Sequence, residues 1–215
     1  MSFQRNAFQL WAFQVAAPPV WYGDFGPPAQ PTNTVNVALA ANGGVATASS
    51  TYAGTNYLPS NVNNGDVIGG LWGKAGGGWN DATLGTWGDW LQITFNRSYK
   101  ISQIDVVTLQ NGFAAATPVD LTSPSGTYGL TAYDIQYWNG TAWVTIQSIT
   151  GNNKAWRQFT FTPVTTDRIR VVCNGGPSGG NAYSRLVEIM AYSPIVSVSR
   201  GRLLAMNRGR ISCVY

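Results

Sequence analysis

Apolar and polar residues alternate in several separate stretches of this chain. In residues 90–95, Leu91, Ile93 and Phe95 alternate with Trp90, Gln92 and Thr94; in residues 101–108, Ile104 and Val106 alternate with Gln103 and Asp105. A period of two sends one set of side chains to a core and the other to the opposite face, so both stretches are predicted strands. The polar Asn96-Arg97-Ser98 between them predicts a reversal. Residues 87–108 then read as a strand pair around which the chain packs. The sharpest local signal lies further on. AYDIQYW and TAWVTIQ flank Asn139-Gly140, residue types that accept the positive φ of a type I′ hairpin turn.

RQFTFTPV sets Phe159 and Phe161 on one face, and DRIRVVC sets Ile169 and Val171 inward with Arg168 and Arg170 outward. Residues 185–192 are predicted as a last core strand. NVALAANGGVATASSTY predicts two strands about the turn Asn42-Gly43-Gly44. Loops lie between: a polar one at 61–66, one rich in glycine and tryptophan at 71–88, a long one at 112–127 and a glycine-rich one at 174–181. Short aromatic-rich strands separated by glycine turns predict an all-β sandwich or barrel.

The two ends break this pattern and divide the chain into an N-terminal arm (1–35), a β domain (36–193) and a C-terminal arm (194–215). In the first arm Phe3-Gln4, Phe8-Gln9 and Phe13-Gln14 recur every five residues, which fits neither helix nor strand. Prolines 18, 19, 27, 28 and 31 exclude helix and sheet interior. Disordered tails are poor in aromatics, so Phe3, Trp11, Trp21 and Tyr22 predict docking on another subunit or back on the domain. The C-terminal arm alternates Val196 and Val198 with serines and ends on Ile211 to Tyr215, which also reads as a docking segment.

Charge sharpens the division. The chain carries 13 Lys and Arg against 9 Asp and Glu. Between residues 36 and 193 eight cations meet eight anions, whereas Arg200, Arg202, Arg208 and Arg210 have no acid beside them. A neutral β domain disfavours nucleic acid as a partner. No apolar run reaches the ~18 residues of a membrane span. The start, MSFQRNAFQLWAFQ, lacks the basic region and apolar core of a secretory signal, so synthesis in the cytoplasm is expected. Cys173 and Cys213 could pair, but read as free thiols of a reducing compartment. The chain has no histidine, which excludes His-based triads and most zinc sites. It has no phosphate-cradling GxxxxGK[ST] run, and its acids do not form the facing pair of a glycoside hydrolase. The expectation is a protein without catalysis.

Taken in order, NVALAANGGVATASSTY, the NNGD loop, the tryptophan loop, DWLQITFNRSYKISQIDVVT, LTAYDIQYWNGTAWVTI, FTFTPVTTDRIRVVCN and SRLVEIMAY resemble the discoidin, or coagulation factor 5/8 C-type, domain. That family overlaps the carbohydrate-binding modules of galactose-binding-like fold. The likeness spans Asn36 to Ser193. It implies an eight-stranded jelly-roll β-sandwich with its ligand loops at one end. It also implies a structural calcium held by Asn61, Asn64, Asp66 and Glu188, since calcium takes six to eight oxygens from carboxylates, amides and carbonyls. Asn64 stands where the family often has Asp, which lowers the charge of that site. Two other readings of Glu188 stand beside calcium: a surface carboxylate on an edge strand, or a partner of Arg185. The chain departs from the family in its glycine-rich insertion at 71–78, in Thr94 where Asp is frequent, and in lacking the disulfide of secreted members.

A sugar site needs a flat aromatic for the apolar ring face and amide, carboxylate or guanidinium groups for the hydroxyls. The candidates are Trp72, Trp79, Asn80 and Asp81 in the tryptophan loop, Tyr52 and Tyr57 before it, and Asn181 and Tyr183 after the last glycine loop. Trp72 and Trp79, flanked by glycines, are expected to be exposed; Trp87, Trp90 and Trp143 are expected to pack. The function this implies is a non-catalytic carbohydrate-binding module that adheres to glycans on a bacterial surface. The arms resemble those of small virion proteins of tailed bacteriophages. That implies a capsid or tail setting in a homo- or hetero-oligomeric assembly, with virion proteins bound through residues 1–35 and 194–215. Two other expectations compete: a purely structural virion decoration or adaptor that binds only virion proteins, and a lipid-headgroup binder using Trp72 and Lys74.

Overall fold

The computed structural model describes residues 31–195. Its strands are β1 (Thr34–Asn36), β2 (Val45–Ala48), β3 (Trp79–Asn80), β4 (Asp89–Thr108), β5 (Ala132–Trp138), β6 (Trp143–Ile149), β7 (Trp156–Gly175) and β8 (Arg185–Pro194). Every ladder between them is antiparallel. The first half of β4 pairs with β2 and with the second half of β7, which passes the sheet on to β5 and β6. The second half of β4 lies between β8 and the first half of β7, and β8 carries β1 and β3 on its other edge. This is a galactose-binding-like β-sandwich, as the order of motifs implies.

The stretch expected to be two strands and a reversal is a single strand. β4 runs unbroken from Asp89 to Thr108, and its halves pair with β7 rather than with each other. Asn96, Arg97 and Ser98 are exposed, and none adopts the positive φ that closes a two-residue hairpin turn. The chain bends instead. Its ladder to β7 slips between Thr94 and Tyr99 and again between Ile101 and Gln103, and such irregularities turn a strand into the facing layer. Asn96 Nδ2 pins the bend to the Asn42 carbonyl at 3.0 Å. RQFTFTPV and DRIRVVC are likewise two halves of one strand, β7. The β5–β6 hairpin forms where expected, with Trp138 opposite Trp143, but its turn is not type I′. It spans residues 139–142, only Gly140 takes a positive φ, and Asn139 Oδ1 accepts the Thr141 and Ala142 N–H groups. The asparagine side chain builds the turn.

Leu91, Ile93, Ile104, Ile135, Ile169, Val171, Leu186 and Ile189 fill the space between the layers. A second cluster, with Val107, Leu109, Trp156, Val187 and Met190, lies on the other side of β8 and β4 under the loops. β8 is therefore covered on both faces and is buried from Arg185 to Ser193. This overturns the reading of Glu188 as a surface carboxylate on an edge strand. The sheet also starts two residues before the predicted domain boundary and ends one residue after it, because β1 and β8 pair from Thr34 to Pro194. Residues 1–30 and 196–215, Cys213 among them, lie outside the described residues. Cys173 is a buried free thiol. No helix among the described residues is long and apolar enough to cross a membrane.

Asp105 is buried in the second cluster, where it accepts Trp156 Nε1–H at 3.1 Å and Gln103 Nε2–H at 2.8 Å. Burial pushes its carboxyl above the usual range despite those donors. The folded state then holds this proton more tightly than the unfolded chain, so its contribution to stability is lost as pH rises from the unfolded value of about 3.9 through the folded one. Asp105→Asn keeps the acceptor for Trp156 and removes the titration. Urea unfolding between pH 4 and 7 is expected to show the variant gaining stability relative to the native protein as pH rises; a constant difference contradicts this.

Candidate functional site

Three loops meet at one end of the sandwich: residues 49–58 after β2, 64–78 before β3 and 176–184 before β8. With Asn80 and Arg185 they enclose a cavity of about 170 Å³, lined otherwise by Tyr52, Tyr57, Trp72 and Tyr183. The glycines of the 71–78 insertion permit this closure. A Cβ on Gly78 would lie 2.5 Å from the Leu186 carbonyl and 2.8 Å from the Trp72 ring, and Gly78 takes φ +131°. Only glycine lets the loop lie so flat on β8 while keeping Trp72 against it.

The rings form a closed circuit. Tyr183 meets Tyr52 edge-on with centroids 5.5 Å apart, Tyr52 meets Tyr57 at 5.6 Å, and Tyr57 meets Trp72 at 5.3 Å. Trp72 continues to Phe113 at 6.4 Å, and Phe113 to Tyr128 at 5.6 Å. The Arg185 guanidinium closes the circuit, 5.5 Å from the Tyr128 centroid and 5.3 Å from that of Tyr183. These separations are those of attractive edge-to-face and cation–π pairs, so each ring restrains the next.

The floor is polar. Arg185, only 7% exposed, donates through Nε to Asn80 Oδ1 at 2.9 Å and through Nη1 to the Asn181 carbonyl at 2.9 Å. Burial holds its pKa below the usual arginine value. Asn80, 4% exposed, is fixed from both ends, since its Nδ2 donates to the Asp81 carbonyl and its own carbonyl accepts Tyr52 N–H. Beneath the floor, Asp81 accepts Ser184 N–H at 2.6 Å and Thr83 N–H at 2.8 Å. The Thr83 hydroxyl stands 2.8 Å from both Asp81 Oδ2 and Asp89 Oδ2. Burial raises the Asp81 carboxyl, and the facing charge of Asp89 adds to this. Burial opposes ionisation of Asp89 too, but the hydroxyls of Ser49, Thr83 and Ser50 outweigh it and hold that carboxyl below the usual range.

Of the eight predicted ligand residues, Tyr52, Tyr57, Trp72, Asn80 and Tyr183 line the cavity. Asn181 contributes its backbone carbonyl to Arg185. Trp79 and Asp81 are placed differently. Trp79 is 0% exposed in the central core and anchors its loop by donating Nε1–H to the Ser50 carbonyl. It begins β3, and pairing with Leu186 turns it inward. Asp81 is sealed behind the floor. Arg185 also lines the cavity; the sequence offers it only as a partner for Glu188, and the signal for its place here is its position at the start of a buried strand, two residues after Tyr183. A larger depression of about 380 Å³ at the opposite end includes Trp138, Asn139, Asp167 and Arg168. There Asp167 and Arg168 pair with each other at 2.9 Å and Asn139 is spent on its own turn, so its polar groups are already matched.

Among the described residues no cluster of three or more His, Cys, Asp or Glu side chains is suited to a metal. The residues expected around Glu188 are two carboxylates and two amides, oxygen donors of the type a hard cation takes. Glu188 is 0% exposed; Oε1 accepts Gly65 N–H at 3.2 Å, and Oε2 is buried without a hydrogen bond. Burial pushes this carboxyl well above the ordinary range, with the Asp66 charge adding to the effect. Asn64 Oδ1 accepts Asp66 N–H, and Asp66 Oδ1 accepts Ile68 N–H. Asn61 directs its amide to the Asn56 and Gly78 carbonyls, bracing the aromatic loop.

The two loop tryptophans should therefore differ in kind. Trp79→Ala is expected to cost about 3–5 kcal/mol of stability, the usual loss for a buried large aromatic, and half-buried Trp72→Ala clearly less. Urea unfolding of both variants checks this; equal costs contradict the placement of Trp79.

The fold has counterparts in known domains. The family profile of the F5/8 type C group described as NedA-like, galactose-binding domain matches residues 61–171. No curated protein matches the chain. Among solved structures, the family 32 carbohydrate-binding module of NanJ from Clostridium perfringens, determined with galactose, is 15% identical with a TM-score of 0.52. That alignment covers 74% of this chain and 99% of the other. The family 32 module of EndoD from Streptococcus pneumoniae is 13% identical with a TM-score of 0.55, over the same shares. Chitosan-binding module 2 of a chitosanase/glucanase from Paenibacillus sp. IK-5, in complex with chitotriose, is 21% identical with a TM-score of 0.51, covering 74% and 100%. At these identities the structures show a shared fold, and the profile, which spans more than half of the 215 residues, shows that the chain belongs to the NedA-like, galactose-binding domain family.

Proposed function

We propose that this domain is a non-catalytic glycan-binding module whose ligand enters the cavity bounded by Tyr52, Tyr57, Trp72, Asn80, Tyr183 and Arg185. The observation that carries this reading is the closed aromatic circuit around a polar floor, at the loop end of a galactose-binding-like sandwich. Rings supply the apolar wall that a pyranose face needs, and the amide, guanidinium and phenol groups supply donors and acceptors for its hydroxyls. Glycan-bound relatives of the same fold support the ligand class. The setting we propose is the virion of a tailed bacteriophage, where the aromatic first arm and the four-arginine tail would mount the domain on other virion proteins so that it meets bacterial surface glycans. A glycan array probed with the full chain tests this. Retention of at least one glycan, weakened about tenfold or more in the Tyr57→Ala/Trp72→Ala double variant, is expected, since losing ring contacts worth about 1.4 kcal/mol costs a factor of ten. Undiminished binding by that variant contradicts the assignment of the site.

We further propose that calcium occupies the place beside Glu188, with Asp66, Asn64 and neighbouring carbonyls as the other ligands. The unpartnered, fully buried Oε2 supports this, because an isolated buried carboxylate is costly and a cation offsets that cost. Bound there, the ion would tie β8 to the 64–66 loop and so steady the loop that carries Trp72. Thermal unfolding in calcium chloride against EDTA is expected to show a higher Tm with calcium for the native protein and no difference for Glu188→Gln; equal Tm values for the native protein contradict the site.

A further inference from the structure

The cavity has one charged wall. Its lining is three phenols, an indole, an amide and the Arg185 guanidinium, with no carboxylate. Arg185 is nearly buried yet has no ion-pair partner: the one salt bridge among the described residues joins Arg168 to Asp167. Its hydrogen-bond partners are neutral oxygens, those of Asn80 and of the Asn181 backbone. Its faces lie against Tyr128 and Tyr183, and Nη2 has no hydrogen bond to any described residue. Asp81 is near enough for its charge to act on Arg185, but it is sealed beneath the floor with its oxygens given to Ser184 and Thr83. The only other charge on the adjoining 71–78 loop is a second cation, exposed Lys74, two residues from Trp72.

We infer that the site prefers an acidic sugar, a hexuronic acid whose ring carboxylate pairs with the open Nη2 edge of Arg185 while the pyranose lies against the aromatic circuit. This rests on the glycan-binding reading above and narrows its ligand class. A neutral sugar filling the cavity would strip the remaining water from Arg185 and return only hydroxyl oxygens, leaving a desolvated cation whose nearest countercharge, Asp81, lies beneath the floor and makes no ion pair with it. A carboxylate returns a charge-assisted hydrogen bond, about twice as strong as a neutral one, to the planar fork that suits it. The carboxyl of a uronic acid lies at the rim of its ring, so stacking and ion pairing do not compete for the same face.

Oligosaccharides of glucuronic and of galacturonic acid, each paired with its carboxyl-reduced neutral counterpart, test this by isothermal calorimetry on the full chain. Reduction keeps ring and linkage and removes only the charge. In at least one pair the acidic form is expected to bind about tenfold tighter or more, with that preference shrinking in 0.5 M sodium chloride and falling at least threefold in Arg185→Lys. Because Arg185 is buried, the comparison of native protein with the two sugar forms decides even if the variant fails to fold. Equal or tighter binding of the neutral forms overturns the acidic preference and leaves glycan binding standing. Failure of both forms, together with silence of the array, overturns both.

Discussion

One buried guanidinium organises the loop end of this domain that holds the candidate site. Arg185 is the first residue of β8 and sits where the chain leaves the last loop for the core. A cation in that place must be solvated by the protein, and three kinds of group do so: the Asn80 amide oxygen, the Asn181 carbonyl and the faces of Tyr128 and Tyr183. They come from three parts of the chain: β3 gives Asn80, the loop before β8 gives Asn181 and Tyr183, and the loop before β5 gives Tyr128. Satisfying one charge therefore fixes β3, the loop before β8 and the aromatic circuit relative to one another. The protein thereby holds an ordered cavity with little regular structure in its walls.

The sandwich makes such an arrangement affordable. β4 and β7 run through both layers, so the sheet framework is continuous and the loops inherit rigid ends. Below the cavity a second polar layer repeats the logic on a smaller scale. Asp81 and Asp89 face each other across Thr83, one raised and one lowered in pKa, and both bind backbone or hydroxyl donors from adjoining loops. Glu188, between Val187 and Ile189 on β8, differs in having a buried oxygen with no hydrogen bond. That contrast separates carboxylates matched by protein donors from one left with an unmatched oxygen, which is the basis of the proposed calcium site.

The strands were legible in the sequence because period-two patterns survive in any sheet; their connectivity was not. Residues 96–98 carry the polar composition of a turn, but the same composition suits an exposed bend between layers. Only the backbone separates the two: none of these three residues takes the positive φ of a tight hairpin turn, although Asn96 is of a type that could. For the site, aromatic residues in glycine loops pointed to Tyr52, Tyr57, Trp72 and Tyr183, because glycine-rich chain without alternation rarely buries a ring. Trp79 has the same neighbours, yet two residues of β-pairing with Leu186 turned it inward. Such a short strand leaves no pattern to read. Arg185 was obscured for the opposite reason: it begins an apolar run, where a cation suggests a partner for the nearest acid rather than a cavity wall.

The central claim, that ligand recognition occurs inside the circuit closed by Arg185, is tested most directly by NMR of indole and guanidinium N–H signals during titration with a retained saccharide. The Trp72 indole and Arg185 Nε–H signals should shift while those of buried Trp79 and of Trp143 at the far hairpin stay in place. Shifts confined to Trp138 and Trp143, with Trp72 and Arg185 unmoved, would contradict it.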